Sequence, residues 1–133
     1  MIIMAERKEI VLALGSNFDQ EINISKAKAK LYDLFGNDII FSEQIWTIPI
    51  GMISDKFLNC LAFVHTSHPL EYINKALKHI ELICGTQKHE RAKNIVKIDI
   101  DILKYGEKIL HANDWTREYV VKLMRTCPFN TTN

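Results

Sequence analysis

The run Val96-Lys97-Ile98-Asp99-Ile100-Asp101-Ile102-Leu103 constrains this chain more than any other stretch. A β-branched run of this kind reads as a strand. Successive strand side chains alternate between faces. Asp99 and Asp101 therefore share one face, and Ile98, Ile100 and Ile102 fill the other. Two carboxylates a residue apart repel each other and depend on solvent or on a nearby cation. Two readings stand: a half-buried strand with a solvated acidic face, or an oxygen-rich site suited to Mg²⁺, the usual companion of a triphosphate.

The rest of the chain supplies the partners for that strand. Glu9 to Leu14 reads as a first strand, stopped by Gly15-Ser16-Asn17. A helix is predicted from Asp19 to Phe35, with Ile24, Ala27, Leu31 and Phe35 on one stripe and Gly36-Asn37 at its end. A second strand is expected from Ile39 to Ile48, then a loop opened by Pro49-Ile50-Gly51. Phe57 to Thr66 reads as a third strand. Pro69 begins a second helix, buried along Leu70, Ile73, Leu77, Ile80 and Cys84 and ended by Gly85. A basic loop, Thr86 to Asn94, leads into the aspartate strand. A turn at Tyr105-Gly106-Glu107-Lys108 precedes a short strand to Leu110. A last helix near Asp114 carries Trp115, Tyr119, Leu123 and Met124 inward. The order βαββαβ predicts an α+β, ferredoxin-like core: an antiparallel sheet with helices packed on it and a short C-terminal β and α extension.

At 133 residues, the chain fits one domain with a core from about residue 8 to 124 and loose ends. The tail from Thr126 to Asn133 has no periodicity and is expected to fray. A formal net charge of +1 makes no global demand for nucleic acid or an anionic membrane, so any anion site must come from local clustering. Cys60, Cys84 and Cys127 are an odd count without CxxC spacing, which argues against a disulfide framework and a zinc ribbon. Met1-Ile2-Ile3-Met4 is too short for the apolar part of a signal peptide, and no stretch reaches membrane-spanning length. The expectation is a cytoplasmic protein.

Three groups could stand beside the aspartates. Lys88, Arg91, Lys93 and Lys97 lie just before their strand, either to neutralise phosphate oxygens or as a solvated loop. Phe57 and Asn59 share a strand face, as a stacking and hydrogen-bonding pair for a flat heterocycle or as a core aromatic and a strand-end asparagine. His111, Arg117 and Tyr119 cluster near the last helix, for phosphate or simply at the surface. His65, His68, His79 and His89 lack metal spacing. Gly15-Ser16-Asn17 resembles neither a P-loop nor a dinucleotide loop.

Taken in order, several motifs make the chain resemble the 6-hydroxymethyl-7,8-dihydropterin pyrophosphokinases of folate synthesis. They are Ala13-Leu14-Gly15-Ser16-Asn17, Thr47-Ile48-Pro49-Ile50-Gly51, Phe57-Leu58-Asn59, Ile80-Glu81-Leu82 with Gly85, and Ile98 to Leu103 with Tyr105-Gly106. The resemblance runs from about Ile10 to Met124. It implies transfer of the β,γ-pyrophosphoryl group of ATP to the pterin hydroxymethyl oxygen. It implies Asp99 and Asp101 as holders of two Mg²⁺ ions with ATP, and as catalytic residues together with Lys88 and Arg117. Glu81, Lys88, Ile102, His111 and Arg117 would meet the nucleotide. Thr47, Ile48, Ile50, Phe57, Asn59 and Tyr119 would bind the pterin. The implied partners are these small molecules, with neither nucleic acid nor membrane, in a monomer or small homo-oligomer.

The sequence departs from the family pattern at the closing segment. Thr86, Lys88, Lys93 and Val96 stand where arginines and a tryptophan are usual, and Lys78 replaces a glutamine. Leu110 runs straight into His111, without the longer segment that normally precedes the histidine. The alternative is therefore a relative of weakened or lost activity, acting as a nucleotide, pterin or protein binding module.

Overall fold

The structure is a computed structural model that describes residues 6–129. The expected looseness of residues 1–5 and 130–133 lies outside the described residues.

The strands are β1 (Lys8–Ser16), β2 (Ile39–Phe41), β3 (Ile45–Thr47), β4 (Phe57–Thr66), β5 (Asp99–Tyr105) and β6 (Lys108–Ile109). The helices are α1 (Gln20–Phe35), α2 (Leu70–Ile83), α3 (Lys88–Ala92) and α4 (Glu118–Met124). Short 3₁₀ turns occupy Gly36–Asp38 and Ala112–Thr116. The sheet runs β2-β4-β1-β5-β6, with β3 also on β4, and every pairing is antiparallel. Taking β2 and β3 as one broken strand, the third strand lies between the first and second, which is the ferredoxin-like order predicted.

The expected continuous strand from Ile39 to Ile48 is interrupted. Phe41 pairs with Ala62, yet Ile45 pairs with Asn59, so the β2–β3 side holds one residue too many. Ser42 accounts for the break. Its amide donates to the Leu61 carbonyl at 2.9 Å, and its Oγ accepts the Leu61 amide at 2.8 Å. A hydroxyl thus stands in for a backbone acceptor, as a bulge requires.

Alternation sorts the apolar residues into two cores. Ile10, Leu12, Leu14, Leu58, Cys60, Ala62, Val64, Ile98, Ile100 and Ile102 face α1 and α2, which contribute Ile24, Ala27, Leu31, Ile73, Leu77 and Ile80. Val11, Ala13, Leu61, Phe63 and Leu103 face the other way, where Val120 and Leu123 of α4 cover them. The aspartate strand begins three residues later than expected, at Asp99, because Val96 to Ile98 serve as its approach.

The C-terminal segment differs from expectation too. The last helix proper starts at Glu118, after the 3₁₀ turn. Beyond it the chain does not fray at Thr126. Phe129 meets Phe63 edge-on at 5.9 Å and the His65 ring at 4.9 Å. Those rings sit on the face that one short helix cannot cover alone, so Cys127 and Phe129 extend the cover. All three cysteines are free thiols, and burial pushes Cys60 up to about 11.

Candidate active site

The α4 side of the sheet carries a row of residues set by register. Gly15 in β1 pairs with Asn59 in β4 on one flank and with Asp99 in β5 on the other. Ala13 pairs with Leu61 and with Asp101. The two smallest side chains of β1 therefore floor a depression between a carboxamide and two carboxylates. A Cβ on Gly15 would stand 3.2 Å from Asn59 Oδ1 and 3.6 Å from the Phe57 ring, so the missing side chain is what keeps this depression open.

A cavity of about 190 Å³ lies over that floor. Thr47, Ile48, Ile50, Phe57, Asn59 and Tyr119, all named from the sequence, line it together with Asp99, Asp101 and Arg117. Asn59 is buried, and its Nδ2 donates to Thr47 Oγ1 at 2.7 Å and to the Ile45 carbonyl at 3.3 Å. That anchorage fixes the carboxamide plane and leaves Oδ1 as the acceptor facing the cavity. Burial pushes the Tyr119 hydroxyl up to about 12, so its ring serves as a neutral wall.

A second cavity of about 590 Å³ lies at the outer edge of β5. It exists because β6 pairs only with Lys104 and Tyr105, leaving β5 from Asp99 to Ile102 without an outer neighbour. Glu81 of α2 takes up the exposed edge, accepting the Ile100 amide at 2.9 Å on Oε2. Lys78, Glu81, Arg91, Ile102 and His111 line this cavity with Asp99 and Asp101. The aspartates are thus common to both cavities.

Charge crowding marks the junction. Burial, then the neighbouring Asp99 carboxylate, raises Asp101 above the ordinary aspartate range. Burial lifts Glu81 to about 7, with the two aspartates adding to the rise against the pull of the Ile100 amide. Asp99 is relieved by Arg91, whose Nη2 lies 3.0 Å from its Oδ1.

The structure separates the residues expected at the phosphates. His111 lines the β5-edge cavity, in a left-handed conformation at φ 50°. Arg117 lines the other, its Nε donating to Asp114 Oδ1 at 3.2 Å. Lys88 is exposed on α3 and lines neither cavity. The segment expected as a basic loop contains α3, closed at its start by a capping box of Gln87 and Glu90.

Sequence reasoning missed Asp114, a third carboxylate in the inner cavity, and the Arg91–Asp99 contact. Asp114 gave no pattern signal. For Arg91 the signal was present, since it stands eight residues before Asp99 in a run of cations. The unexpected helix is what turns it inward.

A ferredoxin-like antiparallel sheet with helices packed on it, and two cavities that meet at the aspartate pair of β5, define an α+β protein. The chain belongs to the 7,8-dihydro-6-hydroxymethylpterin-pyrophosphokinase family, whose model matches residues 11–127 of the 133. That family comprises pyrophosphokinase transferases of folate biosynthesis. No curated protein matches the chain significantly. No helix of the described residues is long and apolar enough to cross a membrane.

Proposed function

We propose that this chain transfers the β,γ-pyrophosphoryl group of ATP to the hydroxymethyl oxygen of 6-hydroxymethyl-7,8-dihydropterin. The observation that carries this reading is that Asp99 and Asp101 line both cavities, so two ligands bound there would meet at the pair. The cavity with Phe57, Asn59 and Tyr119 suits a flat heterocycle, with rings to stack on and a fixed amide to hydrogen-bond its edge. The β5-edge cavity suits the nucleotide, with Lys78, Arg91 and His111 toward the phosphates and apolar Leu70, Leu77 and Ile102 for the base.

Among the described residues no group of three or more His, Cys, Asp or Glu side chains gathers as a metal cage. Two carboxylates on one face are what Mg²⁺ ordinarily takes from a protein, with phosphates and water completing its shell. The donor set therefore fits, and Asp99 already attracts a cation in Arg91. When bound, Mg²⁺ neutralises the triphosphate oxygens and orients them for displacement. The chain's own part is positioning. Asn59, held by Thr47, sets the heterocycle so that its hydroxymethyl group faces the aspartates. Arg117, held through Nε by Asp114, keeps its Nη groups for anionic oxygens on the same side. The hydroxymethyl oxygen bonds the β-phosphorus while its proton passes to solvent, the bond between the β-phosphorus and the α–β bridging oxygen breaks, and AMP leaves with that oxygen.

The test is AMP release from ATP, Mg²⁺ and the hydroxymethyl dihydropterin. Asp101→Asn is expected to cut the rate by at least ~100-fold, the scale for removing one charge-stabilising group from such a site. No AMP from the unaltered protein at high concentration counts against the reading. A specific observation favours the second reading, a binding relative without transfer. Of Lys88, Arg91, Lys93 and Lys97, only Arg91 lines either cavity. Pterin binding without AMP release would select it.

A further inference from the structure

The four cations of the segment before β5 have different occupations. Lys88 lines neither substrate cavity. Lys93 lines a separate polar hollow with Asn17, Asp19 and Asp55. Lys97 is spent on structure, 3.1 Å from Glu90 Oε2 and donating to the Gly85 carbonyl at 3.2 Å. Glu90 also accepts the Gln87 amide at 3.0 Å, so the Lys97–Glu90 pair fixes how α3 sits.

That anchorage leaves Arg91 on the cavity side of α3. The Arg91 side chain is about half exposed and donates to Asp99 through Nη2 alone. Its remaining nitrogens bond nothing else among the described residues. Lys78, Glu81 and His111 share the cavity wall with it.

Resting on the function proposed above, we propose that Arg91 is the phosphate ligand this segment supplies. It guards Asp99 in the free protein and passes to the triphosphate when a divalent cation takes Asp99. Asp99 is the hinge of the exchange. A doubly charged ion wins a part-exposed carboxylate from a singly charged guanidinium, and the two cations then repel. The displaced guanidinium has a polyanion within reach and a planar fork of donors that matches phosphate oxygens. The same charge thereby serves twice. Before ligands arrive it relieves the crowding at Asp99, and afterwards it offsets phosphate charge where Thr86 and Val96 bring none. The competing account is an ordinary surface ion pair with no further role.

The two accounts separate by calorimetry. Mg²⁺ alone, and Mg²⁺ with α,β-methylene-ATP, are titrated into the unaltered protein, Arg91→Gln and Arg91→Lys. Arg91 is on the surface of a short helix, so the variants are expected to fold. Arg91→Gln should bind Mg²⁺ alone at least as tightly as the unaltered protein. It should bind the Mg²⁺-analogue complex about 10- to 100-fold more weakly, the scale of a charge-assisted hydrogen bond. Arg91→Lys should fall between, because charge returns without the fork. Equal analogue affinity in Arg91→Gln overturns the proposal and leaves the function standing. Equal weakening toward both ligands also overturns it, since Arg91 would then only support the site. Absence of analogue binding by the unaltered protein overturns both.

Discussion

Asn17 closes β1, and replacing it tests how the approach to the aspartate strand is held. Its Oδ1 accepts the Val96 amide at 2.7 Å, its Nδ2 donates to the Asn94 carbonyl at 2.8 Å, and its own amide donates to the Val96 carbonyl at 2.9 Å. Asn17 and Val96 are 5% and 6% exposed, so water does not readily replace a lost partner. Asn17→Ala keeps the backbone bond and removes both side-chain bonds. Each is worth about 1 kcal/mol net, and the stranded Val96 amide adds its desolvation cost of about 1–3 kcal/mol. The expected loss is therefore about 3–5 kcal/mol. Urea denaturation at fixed pH measures it as a fall in midpoint at constant slope. Hydrogen exchange at the Val96 amide reports whether the segment opens locally before the whole fold does. Asn17→Asp separates the two bonds, because it retains an acceptor for Val96 but sets an acceptor against the Asn94 carbonyl. A stability within 0.5 kcal/mol of the unaltered protein, with Val96 equally protected, would refute the account, since ~0.5 kcal/mol is the scale of a surface change away from any such network.

Two further perturbations probe the site. Glu81 rises from the ordinary 4.5 to about 7 on folding, so the folded state holds its proton where the unfolded chain has lost it. Stability contributed by that proton is present below about pH 4.5 and is lost as pH rises to about 7. Full burial would make the gap worth about 3 kcal/mol, and solvent screening at this part-exposed group leaves about 1–2. Glu81→Gln should remove that slope in urea titrations with chelator present, and parallel pH profiles for the two proteins would contradict it. Gly15→Ala places a methyl 3.2 Å from Asn59 Oδ1, whose Nδ2 is tied to Thr47 and cannot retreat freely. Pterin affinity should fall about tenfold, or ~1.4 kcal/mol, with binding of the Mg²⁺-analogue complex unchanged; a calorimetric titration showing both unchanged would mean the carboxamide moves aside.

What was legible follows from period and order. The alternation of Ile and Asp predicted which side chains of β5 share a face, and Ile98, Ile100 and Ile102 do pack against the helices. The third strand, Phe57–Thr66, is found where expected, and the helices differ from their predicted bounds by a few residues. The break at Ser42 was not legible, because a bulge depends on which carbonyl and amide the partner strand presents. Nor was α3. Its five residues have no apolar stripe, and its stability comes from a capping box and from Lys97 across the chain.

The sequence by itself determined the two faces of each strand and the succession of strands and helices, because side-chain direction repeats every two residues in a strand and every three to four in a helix. It therefore determined that Asp99 and Asp101 point together. Only the tertiary structure decided what they point at. Register aligned Asn59, Gly15 and Asp99 across three strands, the shortness of β6 left the edge of β5 open to Glu81, and α3 carried Arg91 rather than Lys88 to the carboxylate. These are contacts between residues 8 to 84 positions apart, made by strand pairing and by charges that find each other only after the backbone is closed. Local pattern offered four cations before the aspartate strand, but not which of them would meet Asp99, nor which residues register would align beside it.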